Sequence, residues 1–165
     1  MTMRPLPDEA ARLCHVLKAP DRLVSHLEVV HDVACHLVEG LRRAFPALAF
    51  DAEAVCFGAA THDLGKVIHP EELVGPGDLH EQVGPALLEA NGVPPHLARF
   101  ARTHGRWDRE PVGLEDLLLA LADHSWRAAR NDGLEAMIVE RLASPSGKEP
   151  WQTIILLDDV IGHWT

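Results

Sequence analysis

The chain has 165 residues, which at about 150 residues per domain gives a single domain spanning 1–165. Its 25 acidic residues against 15 basic ones set a formal charge of −10, which excludes a general nucleic-acid binder with a basic face. Hydrophobic residues at 47% and charged residues at 24% exclude a disordered chain. Apolar spacing is helical almost throughout and no alternating strand pattern occurs, so the expected fold is all-α, with seven or eight helices in one compact domain. Asp8 after Pro7 reads as the N-cap of a short helix through Leu17. Pro20 and Asp21 open a long helix to about Phe45, with Leu23, Leu27, Val30, Ala34, Leu37 and Leu41 at three- and four-residue steps. Asp51 caps a third helix from Ala52 to about Asp63, with Gly65 placed to end it. Val67 to Asp78 carries Pro70, Gly75, Pro76 and Gly77 and reads as loop. Helices then follow over Leu79–Ala90, Pro94 to about His104, Leu114–Arg130 and Leu134–Leu142. Gly105–Gly113 is a charged loop, Ser144-Pro145-Ser146-Gly147 a turn, and Trp151 to Trp164 the closing helix.

Polar residues stand where these helices should be apolar. His62-Asp63 ends the run Ala54-Val55-Cys56-Phe57-Gly58-Ala59-Ala60-Thr61, and Asp123 follows Leu117-Leu118-Leu119-Ala120-Leu121-Ala122 directly. A helix with apolar residues all round is buried, and an ionisable group there is costly unless it is hydrogen-bonded or binds a cation. Two acidic groups on buried helices suit a metal site. Of the eleven histidines, three lie on the long helix. At about 100° per residue, His26 falls inside the apolar arc, His31 at its edge and His36 on the far side. A lone inward histidine is more often a satisfied core residue than a ligand, but His26, His62-Asp63 and Asp123 occur together.

The segment Arg22-Leu23-Val24-Ser25-His26-Leu27-Glu28-Val29-Val30, with Thr61-His62-Asp63-Leu64-Gly65-Lys66 and Leu121-Ala122-Asp123, resembles the HD-domain superfamily of metal-dependent phosphohydrolases. The resemblance covers a core motif region of 22–130, leaving 131–165 as C-terminal helices that complete the core. It implies an all-α HD-type fold and metal ligands at His26, His62, Asp63 and Asp123. His31, in the second His-Asp pair, is the rival for the first ligand. Family helices carry small or apolar residues four, eight and eleven positions after that histidine. From His26 these are Val30, Ala34 and Leu37; from His31 they are Cys35, Glu39 and Arg42. His26 is therefore preferred and His31 is expected on the helix surface. Some branches add two histidines and bind two metals, and His80 and His104 stand at similar positions. Each also has a plainer reading, as a polar N-terminal residue and as a histidine at a helix C-terminus. His69 and His124 are weaker candidates, and His15, His96 and His163 read as surface or structural.

Imidazoles and carboxylates without thiolates suit one or two divalent ions such as Mn, Fe, Ni, Co or Mg. The resemblance implies a hydrolase acting on a nucleotide or related small phosphate ester through a metal-activated water, with Asp63 bridging two ions or orienting the water. Lys66 is the first candidate for charge at the leaving oxygen, and Arg106, Arg127 and Arg130 are the further candidates for substrate binding. The absence of tyrosine removes the Gly-Tyr-Pro element of one cyclic-dinucleotide branch, and His104-Gly105-Arg106 is loosely similar to dinucleoside-polyphosphate hydrolases of this fold. The competing readings are an HD-fold di-iron oxygenase and a non-catalytic metal- or nucleotide-binding module. Cys14, Cys35 and Cys56 share no ligand spacing and form no even disulfide set. The N-terminus lacks the apolar run of a signal peptide, and no stretch approaches the roughly 20 apolar residues of a membrane span. A cytoplasmic protein with no membrane partner is expected. Ile154, Ile155, Leu156, Leu157, Val160 and Ile161 either cap the core or form the face of a homodimer.

Overall fold

Helical periodicity governs residues 2–163, the residues that the computed structural model describes. They form α1 (Asp8–Val16), α2 (Asp21–Ala44), α3 (Ala52–Ala59), α4 (Leu79–Ala90), α5 (Pro95–Ala98), α6 (Phe100–Thr103), α7 (Leu114–Ser125), α8 (Asp132–Ser146) and α9 (Pro150–Gly162), with 3-10 turns at Leu64–Val67 and Pro70–Leu73 and no strand among the described residues. Taking α5 and α6 as one interrupted helix, the α-helices number eight, within the expected seven or eight. The expected end of the last helix, at Trp164, lies outside the described residues.

The long α2 is the spine. Leu23, Leu27, Val30, Ala34, Leu37 and Leu41 are all buried along one stripe of it, as their spacing predicts. Against this stripe α3, α7, α8 and α9 build the larger core cluster, while α1, α4 and α5 pack with the first turns of α2 into a smaller one. The run Leu117–Ala122 of α7 is at most 1% exposed, because α2, α3 and α8 cover it from different sides. Each of its leucines contributes about 2 kcal/mol of transfer free energy. Two glycines permit close approaches that position the later site. A Cβ at Gly58 would come within 2.7 Å of both Leu119 and Phe100, so α3 lies hard against α7 and α6. A Cβ at Gly65 would collide with the backbone carbonyl of His80, so α4 begins directly over the turn that follows Asp63.

Several boundaries differ from expectation, each for a local reason. Asp8 is the first residue of α1 rather than its cap; Pro7 precedes it and no side chain caps the helix, so the carboxylate acts on the helix dipole instead. The third helix stops at Ala59, before His62-Asp63. Thr61 Oγ1 donates to the Phe57 carbonyl at 2.9 Å and His62 Nδ1 donates to the Ala59 carbonyl at 2.9 Å, and such side-chain bonds compete with the helical ladder. Gly65 thus belongs to the 3-10 turn rather than ending α3. The segment Val67–Asp78, expected as loop, contains the second 3-10 turn. Arg99 splits the helix expected from Pro94 to His104, since its guanidinium takes the His96 carbonyl. The seventh helix ends at Ser125 rather than Arg130, because Ala128 adopts φ 55°, a left-handed conformation that a helix cannot continue through. The eighth runs through the expected Ser144–Gly147 turn. Pro145 falls in its last turn, and Gly147 at φ 62° closes it, the Gly147 and Lys148 N–H groups donating to Ser144 and Ala143 carbonyls. On α9, Leu157, Val160 and Ile161 face the core, while Trp151, Ile154 and Ile155 are exposed. No helix among the described residues is long and apolar enough to cross a membrane.

Candidate metal centre

Side chains from five segments converge on the Asp63 carboxylate. His26 comes from the second turn of α2, His62 and Asp63 from the turn after α3, His80 from the first turn of α4, His104 from the end of α6 and Asp123 from the last turn of α7. The side-chain competition that ends α3 at Ala59 is what turns His62 and Asp63 into this space.

The imidazoles present one kind of atom to the carboxylates. His80 Nε2 and His104 Nε2 lie 3.2 and 3.3 Å from Asp63 Oδ1, and His26 Nε2 lies 3.3 Å from Asp63 Oδ2. His26 Nε2 and His62 Nε2 are each 3.4 Å from Asp123 Oδ1. The opposite ring nitrogens of three of them have fixed partners: His62 Nδ1 bonds the Ala59 carbonyl, His104 Nδ1 the Phe100 carbonyl at 3.0 Å, and His80 Nδ1 the Glu72 carboxylate. An Nδ1–H held this way leaves the Nε2 lone pair free for a cation, the usual form of a ligating histidine. His62 carries the test of fit. Its side chain is fully buried, yet Nε2 has no hydrogen-bond partner, and a buried polar atom left in that state asks for an unseen partner. A divalent cation held by His62 with His26 and Asp123 would satisfy it.

Three groups among the described residues present ligand atoms within 4.8 Å of one another: His26, His62 and Asp123; His62, Asp63 and His104; and His80, Glu81 and His104. Sharing His62 and His104, the three groups adjoin one another as a His/Asp/Glu cluster of the kind that holds a metal ion. Electrostatics agree. Burial opposes ionisation of Asp63, but the rings of His62, His104, His26 and His80 hold its carboxyl well below the usual carboxylate range. For Asp123 burial again opposes the charge, and His62 and His26 overcome it. Burial pushes His26 down, while Asp123 and Asp63 more than compensate and raise it to about 9. His104 is raised against its own burial chiefly by Asp63.

Lys66 extends from the 3-10 turn to place Nζ 2.6 Å from Asp63 Oδ2. An open cavity of about 360 Å³ leads to these groups, with Lys66, Trp126 and Arg127 at its wall. Beside it a second hollow shares His26, Lys66, Trp126 and Arg127 and adds Arg22 and Ser25. Trp126 packs edge-on against His26 with ring centroids 5.1 Å apart, and the Arg127 guanidinium sits over it at 4.5 Å.

All six expected ligands and Lys66 are therefore brought together, with Arg127 at the mouth. Arg106 and Arg130 are not. Arg106 pairs with Glu81 at 3.0 Å and Asp78 at 3.3 Å, and Arg130 with Glu135 and Asp158 at 2.6 Å each, so carboxylates of the protein itself occupy both guanidinium groups. His31 is not on the surface as expected. It is buried, with Nδ1 3.0 Å from the Cys56 carbonyl, because α3 packs over the edge of the arc where it lies. Its ring is engaged by the Cys56 carbonyl and the Cys35 sulfur, and His26 takes the place beside the carboxylates. Sequence reasoning missed Glu72, Glu81 and Trp126. Glu81 adjoins His80 on the first turn of α4 and was in principle findable, whereas Glu72 lies in a segment whose residues gave no helical signal.

Comparison with family models finds a match to the HD domain over residues 23–140, a stretch that includes every histidine and carboxylate gathered at the centre. Comparisons with curated proteins and with solved structures find no match. The all-helical order, the His26, His62-Asp63 and Asp123 arrangement around one cavity, and a family match over most of the length agree: this chain belongs to the HD domain family.

Proposed function

We propose that the protein is a metal-dependent phosphohydrolase acting on a nucleotide or a related small phosphate ester. The observation that carries this reading is the surroundings of Asp63, a buried carboxylate faced by four imidazoles and by the Lys66 ammonium at 2.6 Å. His26, His62 and Asp123 with Asp63 would hold one divalent ion, and His80 and His104 with Asp63 a second. Nitrogen and oxygen donors without thiolate suit Mn, Fe, Co, Ni or Mg. A divalent ion so held polarises a phosphoryl oxygen and brings the pKa of water toward neutrality.

The protein's own groups supply the rest. Lys66 stands between Asp63 and the cavity, where its ammonium meets the negative charge that develops on a leaving oxygen. Arg127 and Arg22 line the approach and match a phosphate by geometry and charge. A cavity of about 360 Å³ is the size that small molecules occupy, and a chain of net charge −10 is ill suited to a polyanion. The cationic wall of Lys66, Arg22 and Arg127 favours phosphate chemistry over oxygen activation by the same ligands.

The test is elemental analysis of protein purified without chelator, followed by phosphate release from a panel of mononucleotides, dinucleoside polyphosphates and simple phosphate esters with each metal restored. The expected result is one or two ions per chain and phosphate release lost in Asp63→Asn. Metal-free protein that does not take up Mn or Fe, or loaded protein silent across the panel, overturns the reading.

A further inference from the structure

Away from the metal centre, α2 and α3 bring two free cysteines together. Cys35 Sγ and Cys56 Sγ are 3.2 Å apart. Cys35 is 8% exposed, and Cys56 is half-buried and lines an open groove with Pro7, Phe57 and Leu97. The His31 ring lies beside them, its Nε2 3.7 Å from Cys35 Sγ and its Nδ1 3.0 Å from the Cys56 carbonyl. Nothing in the phosphohydrolase reading uses these three residues. His26 is about two and a half turns away along α2.

We propose that Cys35 and Cys56 form a redox-active pair that a hydroperoxide closes into a disulfide, stapling α2 to α3. The geometry needs little change: a disulfide requires about 2.05 Å between sulfurs, so they must approach by about 1.2 Å. The chemistry has a defined order. The Cys56 thiol and then His31 draw the Cys35 thiol down, whereas the neighbouring Cys35 and burial push Cys56 up. The His31 ring stands beside the Cys35 sulfur, its Nε2 3.7 Å away, which assigns the thiolate and attacking nucleophile to Cys35, with Cys56 the resolving thiol. The Cys35 thiolate attacks one peroxide oxygen and breaks the O–O bond, giving a Cys35 sulfenic acid and releasing alkoxide, or hydroxide from hydrogen peroxide. The Cys56 sulfur then displaces the sulfenic oxygen as water, forming the S–S bond. Two thiols and one hydroperoxide yield one disulfide, one alcohol and one water; the thiols lose two electrons and the O–O bond takes them. Because both helices already hold the sulfurs in contact, closure leaves the His26 and Asp63 ends of these elements in place, and the link acts as a latch on stability.

The experiment treats the purified full chain with stoichiometric hydrogen peroxide and maps peptides without reduction. The expected result is a Cys35–Cys56 linked peptide that dithiothreitol reverses, Cys14 still free, and unchanged metal content. Closing a loop of about 20 residues should raise Tm by about 5–10 °C. Cys56→Ser should leave Cys35 as a sulfenic acid that dimedone captures. Wild-type protein in which Cys35 goes to sulfinic acid without a link, Cys14 reacts first, or chains join to one another overturns the proposal.

Discussion

Glu72 accepts a hydrogen bond from His80 Nδ1 while His80 Nε2 stands 3.2 Å from Asp63 Oδ1. The same carboxylate accepts the Leu79 and His80 backbone N–H groups at 2.9 and 3.0 Å, so one buried acid both starts α4 and fixes the tautomer of a ring at the centre. Carboxylates behind ligating histidines raise ligand basicity and set ring orientation, and their loss typically costs 10–100-fold in metal affinity. In Glu72→Gln one amide oxygen replaces two carboxylate oxygens, so of the Leu79 N–H, His80 N–H and His80 Nδ1–H donors at least one meets the NH₂, and the negative charge behind the ring is lost. The expected outcome is a metal affinity lower by about 10-fold or more with helicity retained, measured by competition against a chelator of known strength. An unchanged affinity would remove Glu72, and with it His80, from the metal centre.

The two histidines of α2 separate by function. His26 faces both Asp63 and Asp123, whereas His31 is buried against Cys56 and Cys35. His26→Ala is expected to lose metal with little change in far-UV circular dichroism. His31→Ala is expected to keep its metal and to lose about 1–3 kcal/mol of stability, since it leaves the Cys56 carbonyl without its donor and opens a void. Metal per chain and urea midpoints on the two variants decide it, and the reverse pattern would reassign the ligand.

That contrast also marks what was legible in the chain. His26, His62-Asp63 and Asp123 could be read in advance because each is polar in an otherwise apolar run, and apolar runs are where burial is predictable. The helix order was equally readable, since α2, α4 and α7 carry continuous 3.6-residue periodicity. What could not be read depends on contacts between segments. The burial of His31 follows from α3 lying over it, and the burial of Glu72 and Glu81 follows from His80 and Arg106 meeting them. Boundaries at Ala59, Arg99 and Ser125 hinge on side chains competing for carbonyls or on one left-handed alanine, none of which has a compositional signal. The arginines failed in the opposite sense. Arg106 and Arg130 look free in sequence, yet Glu81 and Glu135 claim them.

Lys66 tests whether the site handles phosphate. Its ammonium, 2.6 Å from Asp63 Oδ2, is only partly exposed, and it is not a metal ligand. Lys66→Met keeps the aliphatic stem and removes the charge. Metal content is expected to stay at the wild-type level or rise, because a competing cation has left Asp63, while kcat/KM for phosphate release falls about 10²-fold. Full activity with full metal would mean that Lys66 serves only to balance Asp63.

Gly65 links the backbone to the chemistry. A Cβ there would collide with the His80 carbonyl, an atom of the rigid start of α4, so no flexible side chain can yield. Gly65→Ala must therefore push α4 away from the 3-10 turn that follows Asp63. Such overpacking typically costs about 1–3 kcal/mol, and it acts on the residue whose ring stands 3.2 Å from Asp63. The expected variant is folded, melts several degrees lower, and binds metal through His26, His62 and Asp123 more strongly than through His80 and His104. Metal titration followed by calorimetry distinguishes this from simple destabilisation: a lower Tm with both affinities intact would mean that α4 tilts about its first turn and leaves His80 where it was.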